Sequence, residues 1–265
     1  HHRWAKQVLR FCETLGEQGL PRDAVKRPVM TLPYGATMYT CQRYLCSWYH
    51  DYVRGKSLGR EDSPFPEGDS YKVFTWVGGI VWEAIGEVVI KAIEAMDWFH
   101  DVSNICSEHG THIGWTTPLG LKVQQRYVKG CVKKVELKAG GVIRLRVWED
   151  NDEIDPRRSK NGLCPNFIHS LDASAMMRTV ERASLEGVTH FRMVHDDFAT
   201  HACDAPKLAQ VLRESYYSLF ADSDHLNTLR DALQSALPEG VQLPPAPAQG
   251  SMNLKELENS TYFFA

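Results

Sequence analysis

The stretch best suited to metal chemistry in this sequence is Val194-His195-Asp196-Asp197-Phe198. The residues before it, 190–194, are apolar enough to predict a buried strand, and residues 198–203 could form the returning strand. The two aspartates between them are turn-forming residues, so the pattern predicts a tight hairpin that holds a carboxylate at a fixed point. Mg²⁺ prefers oxygen ligands in strict geometry, which such a carboxylate suits.

Taken alone, this stretch also fits two other interpretations. Asp196 and Asp197 could be ordinary turn residues, or the His-Asp pair could belong to a metal-dependent phosphohydrolase. The same dipeptide recurs at His50-Asp51 and His100-Asp101, so the letters alone do not decide between them.

A second set of chemically suited residues is spaced four apart: Arg22, Lys26, Met30 and Tyr34. A helical turn holds about 3.6 residues, so each step of four drifts by about 40° and the first three would share one sector. Two cations followed by an aromatic side chain suit a nucleoside triphosphate, since cations meet phosphates and the far end packs on base and sugar. The alternative is a solvated amphipathic helix that ends at Gly35.

Helices form most of the framework that must position these residues. Pro28 and Pro33 oppose a simple helix over residues 22–35, because each costs up to about 3 kcal/mol in a helix interior. Tertiary packing must therefore override that cost, or the helix starts late or bends. Gly78 and Gly79 could bend the longest of the other helices. Apolar periodicity predicts these helices at residues 4–15, 38–53, 73–96, 165–184, 206–220 and 225–236. An exposed loop and a proline-rich linker are predicted at residues 57–70 and 238–250.

A glycine-bearing turn at residues 139–141 separates two strand patterns, 132–138 and 142–148, and predicts a hairpin. Between Lys122 and Trp148, eight basic residues stand against one acid, although the whole chain has a net charge of −3. The basic hairpin is either an exposed ribbon with solubilising lysines or a two-stranded ribbon that fits the major groove of DNA. The acidic run that follows, residues 149–155, is typical of a solvated face.

The longest apolar stretch, residues 73–96, does not suit a membrane span, because it contains Glu83, Glu87, Lys91 and Glu94. The seven cysteines include no CxxC pair, so neither a disulfide framework nor a zinc site is expected, and a reducing cytoplasm fits best. We therefore expect a globular protein of one large or two small domains without a membrane partner.

Four segments in a fixed order resemble motifs of the single-subunit, bacteriophage-type RNA polymerases. Residues 22–35 resemble the nucleotide-binding helix called motif B, and residues 165–172 resemble a Pro-Asn-Phe-x-His-Ser-x-Asp segment. Residues 194–201 resemble motif C, and residues 262–265 resemble the aromatic C-terminal foot. The resemblance implies an α+β fold of mostly helical fingers with a small antiparallel palm sheet and a β-hairpin specificity loop. Fingers would occupy residues 1–115, the specificity-loop region 116–160, and part of the palm with the foot 161–265.

The resemblance also implies roles for single residues. Asp196 would be one of two carboxylates that hold two Mg²⁺ ions, whereas Asp197 would be structural. Arg22 and Lys26 would clamp the triphosphate, with Lys26 also a candidate proton donor to pyrophosphate. The remaining nucleotide contacts are implied for three residues: Met30 beside the base, and Tyr34 and His169 at the 2′-hydroxyl, where a site that hydrogen-bonds a hydroxyl rejects the deoxy analogue.

The specificity loop of the resembled family reads promoter DNA. The implied DNA-binding residues of the hairpin are Lys133, Lys134, Glu136, Arg144 and Arg146. All but Lys133 occupy alternate positions that can face bases. Double-stranded template and promoter DNA, nascent RNA and nucleoside triphosphates are therefore the expected partners.

The second metal-binding aspartate of these polymerases lies in motif A, typically Asp-Gly-x-x-x-Gly-x-Gln-His, and this sequence contains no such segment. We therefore expect the C-terminal catalytic portion of a DNA-dependent RNA polymerase that is inactive alone, with another polypeptide a possible carrier of motif A. The expected location is the cytoplasm of a phage-infected or prophage-bearing bacterium rather than an organelle. Two alternatives stay open: a portion of a family A DNA polymerase, against which Met30, His169 and Thr200-His201 argue, and a non-enzymatic nucleic-acid-binding module derived from a polymerase.

Overall fold

A computed structural model describes residues 2–55, 65, 69–138, 141–221, 223–260 and 263. The chain divides into two units, His1–Met96 and Asp97–Ala265. The predicted α+β class is confirmed, because helices dominate and the strands form small antiparallel pairs. The loop predicted at residues 57–70 lies largely outside the described residues.

The first unit is helical. Its core is a cluster of aromatic rings, in which Phe11, Tyr49, Phe65 and Phe74 meet mostly edge to face, and the Tyr49 and Phe74 rings stack at 4.6 Å. Such pairs add to the stabilisation that the buried area supplies. The elements are α1 (His2–Thr14), α2 (Arg22–Thr31), a 3₁₀ turn (Leu32–Tyr34), α3 (Met38–Gly55), α4 (Asp69–Val88) and the start of α5 (Ile90–Glu108).

The single long helix predicted over residues 73–96 is wrong, because α4 ends at Val88 and α5 begins at Ile90. The three β-branched residues 88–90 lower helix propensity at the break. Gly78, which was expected to bend the helix, instead lies where α4 packs against α3. A Cβ there would lie 2.7 Å from the Cα of Gln42, so the glycine permits close approach of α3 and α4. Among the described residues no single helix is long and apolar enough to cross a membrane; only α4 and α5, as a bent pair, pass that test.

The second unit combines helices with three two-stranded antiparallel sheets among its described residues. The β1–β2 hairpin was not predicted, although Gly120 in its turn has a φ of 86° that favours glycine. The strands are β1 (Ile113–Thr116), β2 (Lys122–Gln125), β3 (Val128–Lys138), β4 (Val142–Ile154), β5 (Arg192–Val194) and β6 (Asp197–Ala199). The helices are α6 (Pro156–Leu185), α7 (Ala205–Phe220), α8 (His225–Ala236) and α9 (Glu256–Asn259).

Helix α6 begins nine residues before the predicted start at Pro165, so that start is wrong. The Asp155 side chain caps the helix by accepting a 3.0 Å hydrogen bond from the Arg158 amide, and Pro156 occupies the first turn. Pro165 lies inside the helix. The predicted region boundaries at residues 115 and 160 thus fall within β1 and α6.

The proline-rich segment 238–250 has no regular structure, but it is packed onto the second unit. Leu243 is buried, and its amide donates to Gln234 Oε1 at 2.9 Å. The Pro244 carbonyl accepts 3.2 Å hydrogen bonds from Trp98 Nε1 and Arg230 Nε. The predicted proline-rich linker is thus an irregular segment that burial and hydrogen bonds hold against the second unit.

Candidate active site and nucleic-acid interface

A two-residue turn carries the candidate metal ligand. Val194 pairs with Asp197 across β5 and β6, so the turn is His195-Asp196 and not the two aspartates, as the sequence had suggested. Among the described residues His195 is the one non-glycine with positive φ, 55°. A two-residue hairpin loop requires positive φ at its first central position, and a non-glycine residue there marks a position held by its surroundings. Asp196 is exposed at the tip.

The hairpin is anchored by the inward-facing side chains of its two strands. Met193 and Phe198 pack against a buried cluster from α6, α7 and the segment between α6 and β5, whose members are Ala183, Val188, Leu208 and Val211. A strand does form at Arg192–Val194, but Arg192 and Val194 are exposed, so the burial predicted for residues 190–194 is wrong. At the open end Thr200 Oγ1 donates to the His190 carbonyl at 2.7 Å. This packing fixes the base of the hairpin and leaves its turn in solvent.

Helix α6 places a second carboxylate, Asp172, within electrostatic reach of this turn. Burial raises the pKa of half-buried Asp172, the charge of His169 lowers it, the charge of Asp196 raises it and that of His195 lowers it. Asp172 therefore lies within electrostatic reach of His169, His195 and Asp196. Sequence reasoning placed His169 and Asp196 in one site but gave Asp172 no part in it. Its spacing of three from His169, which puts both on one helix face, was the available signal.

The other polar residues of the 165–172 segment are structural. Asn166 Nδ2 donates to Gln125 Oε1 at 3.0 Å and to the Tyr127 hydroxyl at 3.2 Å, and Ser170 Oγ accepts from Trp115 Nε1 at 2.9 Å. These bonds attach α6 to the β1–β2 hairpin and the residues beside it. They fix the face that carries His169 and Asp172.

We predict that Asp172→Asn stabilises the fold at neutral pH. The folded-state pKa of Asp172 lies above its unfolded value, so its stabilising contribution is complete below the unfolded pKa, about 3.9, and is lost as pH rises through the folded value. Urea unfolding at pH 7 should therefore give the variant a larger free energy of unfolding than the wild type. The difference should vanish near pH 3, and a variant less stable at pH 7 would contradict this electrostatic account.

The four-residue ladder of motif B lies on α2 and the 3₁₀ turn. Arg22, Lys26, Met30 and Tyr34 are all exposed, as the predicted face requires. The opposite face is apolar and buried, since Ala24, Pro28 and Leu32 repeat at the same spacing on the inside. Pro28 stands inside α2, where burial against the rest of the unit offsets the cost of about 3 kcal/mol. Of the expected outcomes, packing that overrides the cost of Pro28 is the one observed, since α2 begins at Arg22 and not later.

Two cations of this ladder are available to a ligand. Arg22 and Lys26 make no ion pair with any residue that the structure describes. The neighbouring Arg27, by contrast, stacks over the Tyr44 ring at 5.2 Å. The first unit holds the motif B ladder, and the second holds His169 and Asp196 as well as the predicted DNA-binding residues of the β3–β4 ribbon.

The β3–β4 ribbon has two chemically different faces. Directly opposite residues point to the same side of an antiparallel pair, and successive residues alternate. Four of the predicted DNA-binding residues therefore share one side, which we call the basic face: Lys134 opposite Arg146 and Glu136 opposite Arg144, with Lys138 beyond them. The other side, the apolar face, carries Val135, Leu137, Ile143, Leu145 and Val147.

Ion pairs divide the charges of the ribbon further. The acidic run lies in β4, where Glu153 pairs with Lys129 at 3.1 Å and Glu149 pairs with Lys133. Lys133 thus lies on the apolar face, opposite Val147, and forms an ion pair with Glu149. On the basic face Arg144 pairs with Glu136 at 2.8 Å. Lys134 and Arg146 form no ion pair within the described part of the chain.

A larger cavity, of about 710 Å³, lies elsewhere in the second unit, between Trp115, Phe167, Arg178 and α8. None of the predicted site residues lines it. A cavity of about 430 Å³ does adjoin the β5–β6 hairpin, and both Asp196 and Asp197 border it. The smaller cavity is therefore the one relevant to the candidate site. In the described ranges no three His, Cys, Asp or Glu side chains come together as a metal site.

A sequence model of the DNA-dependent RNA polymerase family matches residues 3–242. The chain belongs to this family. It is 32% identical over 247 residues to the DNA-directed RNA polymerase of Pseudomonas phage phiKMV, covering 93% of this chain and 28% of that protein. It is 34% identical over 261 residues to DNA-directed RNA polymerase 2, chloroplastic/mitochondrial, of Arabidopsis thaliana. That match covers 97% of this chain and 24% of the Arabidopsis protein.

The polymerase of Enterobacteria phage T3 is 28% identical over 95% of this chain and 30% of its own length. The chain therefore spans between about a quarter and a third of the length of these three RNA polymerases. The predicted membership among the single-subunit, bacteriophage-type enzymes is confirmed.

Proposed function

We propose that this chain is the part of a DNA-dependent RNA polymerase that binds the incoming ribonucleotide and supplies one carboxylate of a two-metal site. The observation that carries the proposal is the exposed Asp196 at the tip of the β5–β6 hairpin, in a chain of this family. The reaction is the attack of an RNA 3′-hydroxyl on the α-phosphate of a nucleoside triphosphate, with pyrophosphate as the leaving group.

The residues of α2 suit the triphosphate. Arg22 presents a planar fork of donors that matches phosphate oxygens, and Lys26 presents a point charge one turn further along. Both would offset negative charge that grows in the transition state, and Lys26 would donate a proton to the leaving pyrophosphate. Met30, exposed in the next turn, would pack beside the base.

The donor chemistry of the hairpin suits Mg²⁺, because this ion is usually held by one or two carboxylates and keeps several waters. Asp196 would hold it, shared between two ions, with the second carboxylate supplied by motif A. When bound, the ions lower the pKa of the attacking hydroxyl and stabilise the leaving group. His195, which has positive φ, would fix the direction of Asp196.

The proposed partners follow from the same activity. They are a double-stranded DNA template with its promoter, the nascent RNA and nucleoside triphosphates. Lys134 and Arg146, two exposed cations of the basic face, support the DNA contact, with Glu136 and Arg144 beside them. The phage relatives favour the cytoplasm of a phage-infected or prophage-bearing bacterium as the location.

Tyr34→Phe should weaken the choice of ribose over deoxyribose without stopping chain growth. The proposed role of the phenol hydroxyl, like that of His169, is to sense the 2′-hydroxyl of the incoming nucleotide. Loss of one hydrogen bond is worth about 0.5–1.5 kcal/mol, so selectivity should fall about three- to tenfold. Competition between ribo- and deoxyribonucleotides in the complete enzyme, meaning this chain joined to a segment that carries motif A, measures it.

Tyr39→Phe is the matched control, because Tyr39 is another exposed tyrosine of the first unit. It should leave selectivity unchanged. Equal selectivity in Tyr34→Phe and the wild type would remove Tyr34 from the sugar-sensing role. A wild-type enzyme that prefers deoxyribonucleotides would instead favour the DNA polymerase alternative.

A further inference from the structure

The cavity beside Asp196 has a wall from the far end of the chain. The other walls are the β5–β6 hairpin, from Asp196 to Thr200, and one face of α7, from Ala205 to Arg213. Phe263 also lines the cavity, although it lies more than sixty residues beyond the hairpin in sequence. Something must therefore hold this C-terminal segment in place.

Arg213 makes the contacts that could do so. Its Nη2 donates to the Ser260 carbonyl at 2.9 Å, and its Nη1 donates to the Ala209 carbonyl of its own helix at the same distance. The guanidinium carbon also lies 5.8 Å from the centre of the Phe263 ring. The planar, forked guanidinium can satisfy both carbonyls and still stack on an aromatic face, which an ammonium group cannot do.

Further packing supports the same placement. The Tyr216 ring, one turn along α7, meets the Phe263 ring edge to face at 5.3 Å. The short helix α9, immediately before Ser260, also contacts α7. Arg213 is half-buried, so its hydrogen bond to Ser260 is partly shielded from competing water.

We propose that Arg213 is a positioning residue that clamps the C-terminal segment, Ser260 and Phe263, to α7 and so keeps Phe263 in the wall of the Asp196 cavity. Loss of the clamp frees the segment and opens the cavity on that side. The consequence for catalysis rests on the proposed function, whereas the clamp itself can be measured without it.

The first test uses hydrogen exchange of the C-terminal peptide in the chain itself, measured by mass spectrometry. Arg213→Ala should accelerate exchange at least about fivefold, since a hydrogen bond to a charged group and a cation–π contact are lost together. The exchange rate of Arg213→Lys should lie between those of the wild type and Arg213→Ala. Lys207→Ala is the matched control, because Lys207 lies on α7 and donates to a different carbonyl, that of Glu186, at 2.8 Å. Unchanged exchange in Arg213→Ala would overturn the proposal.

Phe263→Ala keeps the test valid if Arg213→Ala fails to fold, because it removes the stacking partner near the chain end and leaves the core intact. It should accelerate exchange as well, and the double variant should exchange no faster than the faster single variant. Fully additive effects would mean that the two residues do not act through one contact, which would overturn the clamp.

The second test is kinetic and uses the complete enzyme. Arg213→Ala should lower kcat for ribonucleotide incorporation, Arg213→Lys should restore part of it, and Lys207→Ala should match the wild type. Faster exchange with unchanged kinetics would overturn the catalytic consequence. A wild-type enzyme without RNA synthesis would defeat the proposed function and leave the exchange result to decide the clamp.

Discussion

Asp196→Asn is expected to abolish RNA synthesis by the complete enzyme, lowering the rate at least about 10²–10³-fold, as loss of a group that stabilises transition-state charge does. The amide keeps the shape of the carboxylate but removes the negative charge that Mg²⁺ requires. The exposed turn should tolerate the change, so the fold should persist. Incorporation of labelled ribonucleotide on a primed DNA template with Mg²⁺ measures the effect.

Asp197→Asn is the matched control for this prediction. Asp197 is the next residue and also borders the cavity, but it lies in β6 opposite Val194 and not in the turn. We expect it to retain most of the activity. A larger loss of activity in Asp197→Asn than in Asp196→Asn would mean that Asp197, and not Asp196, is the metal ligand.

Removing Lys134 and Arg146, two cations of the basic face that form no ion pair with the described residues, should weaken DNA binding in a salt-dependent manner. For duplex DNA, log K falls by about 0.9 per unit of log salt concentration for each neutralised phosphate. The Lys134→Ala/Arg146→Ala variant should therefore flatten the slope by up to roughly 1.8 if both residues contact phosphates. If Arg146 reads a base instead, Arg146→Ala alone should change promoter preference more than overall affinity.

The ribbon supplies its own control, Lys129→Ala/Lys133→Ala, which removes the same charge from residues already paired with Glu153 and Glu149. This variant should leave the slope of log K against log salt concentration nearly unchanged. Lys133 is included because its predicted DNA contact would require breaking its ion pair with Glu149. Equal flattening by both variants would show that total charge, and not the basic face, controls binding. No flattening in either would exclude the ribbon as a phosphate contact.

Local spacing predicted those parts of the site that a single element builds. The ladder from Arg22 to Tyr34 needed only helical geometry, and its outward face is confirmed by the burial of Pro28 and Leu32 behind it. The alternate residues of the ribbon likewise needed only the pleat of a strand pair. In both cases the period of the backbone determines which side chains share a face.

The remaining features depend on contacts between distant residues, which one sequence does not reveal. The turn is His195-Asp196, and not the predicted Asp196-Asp197, because the pairing of Val194 with Asp197 determines the register of the hairpin. Asp172 interacts electrostatically with Asp196, and Arg213 lines the cavity beside it, because α6 and α7 pack against the hairpin. The break after Val88 was missed because apolar periodicity continues through it, whereas helix propensity does not.

The central claim is that this chain supplies Asp196 and the nucleotide-binding ladder, and that synthesis also requires a motif A carboxylate. The most direct test compares the chain alone with the chain joined to a motif A segment, on a primed DNA template with Mg²⁺ and labelled ribonucleotides. We predict RNA synthesis by the joined protein and none by the chain alone. Robust synthesis by the chain alone, or none by a folded joined protein, would contradict the account.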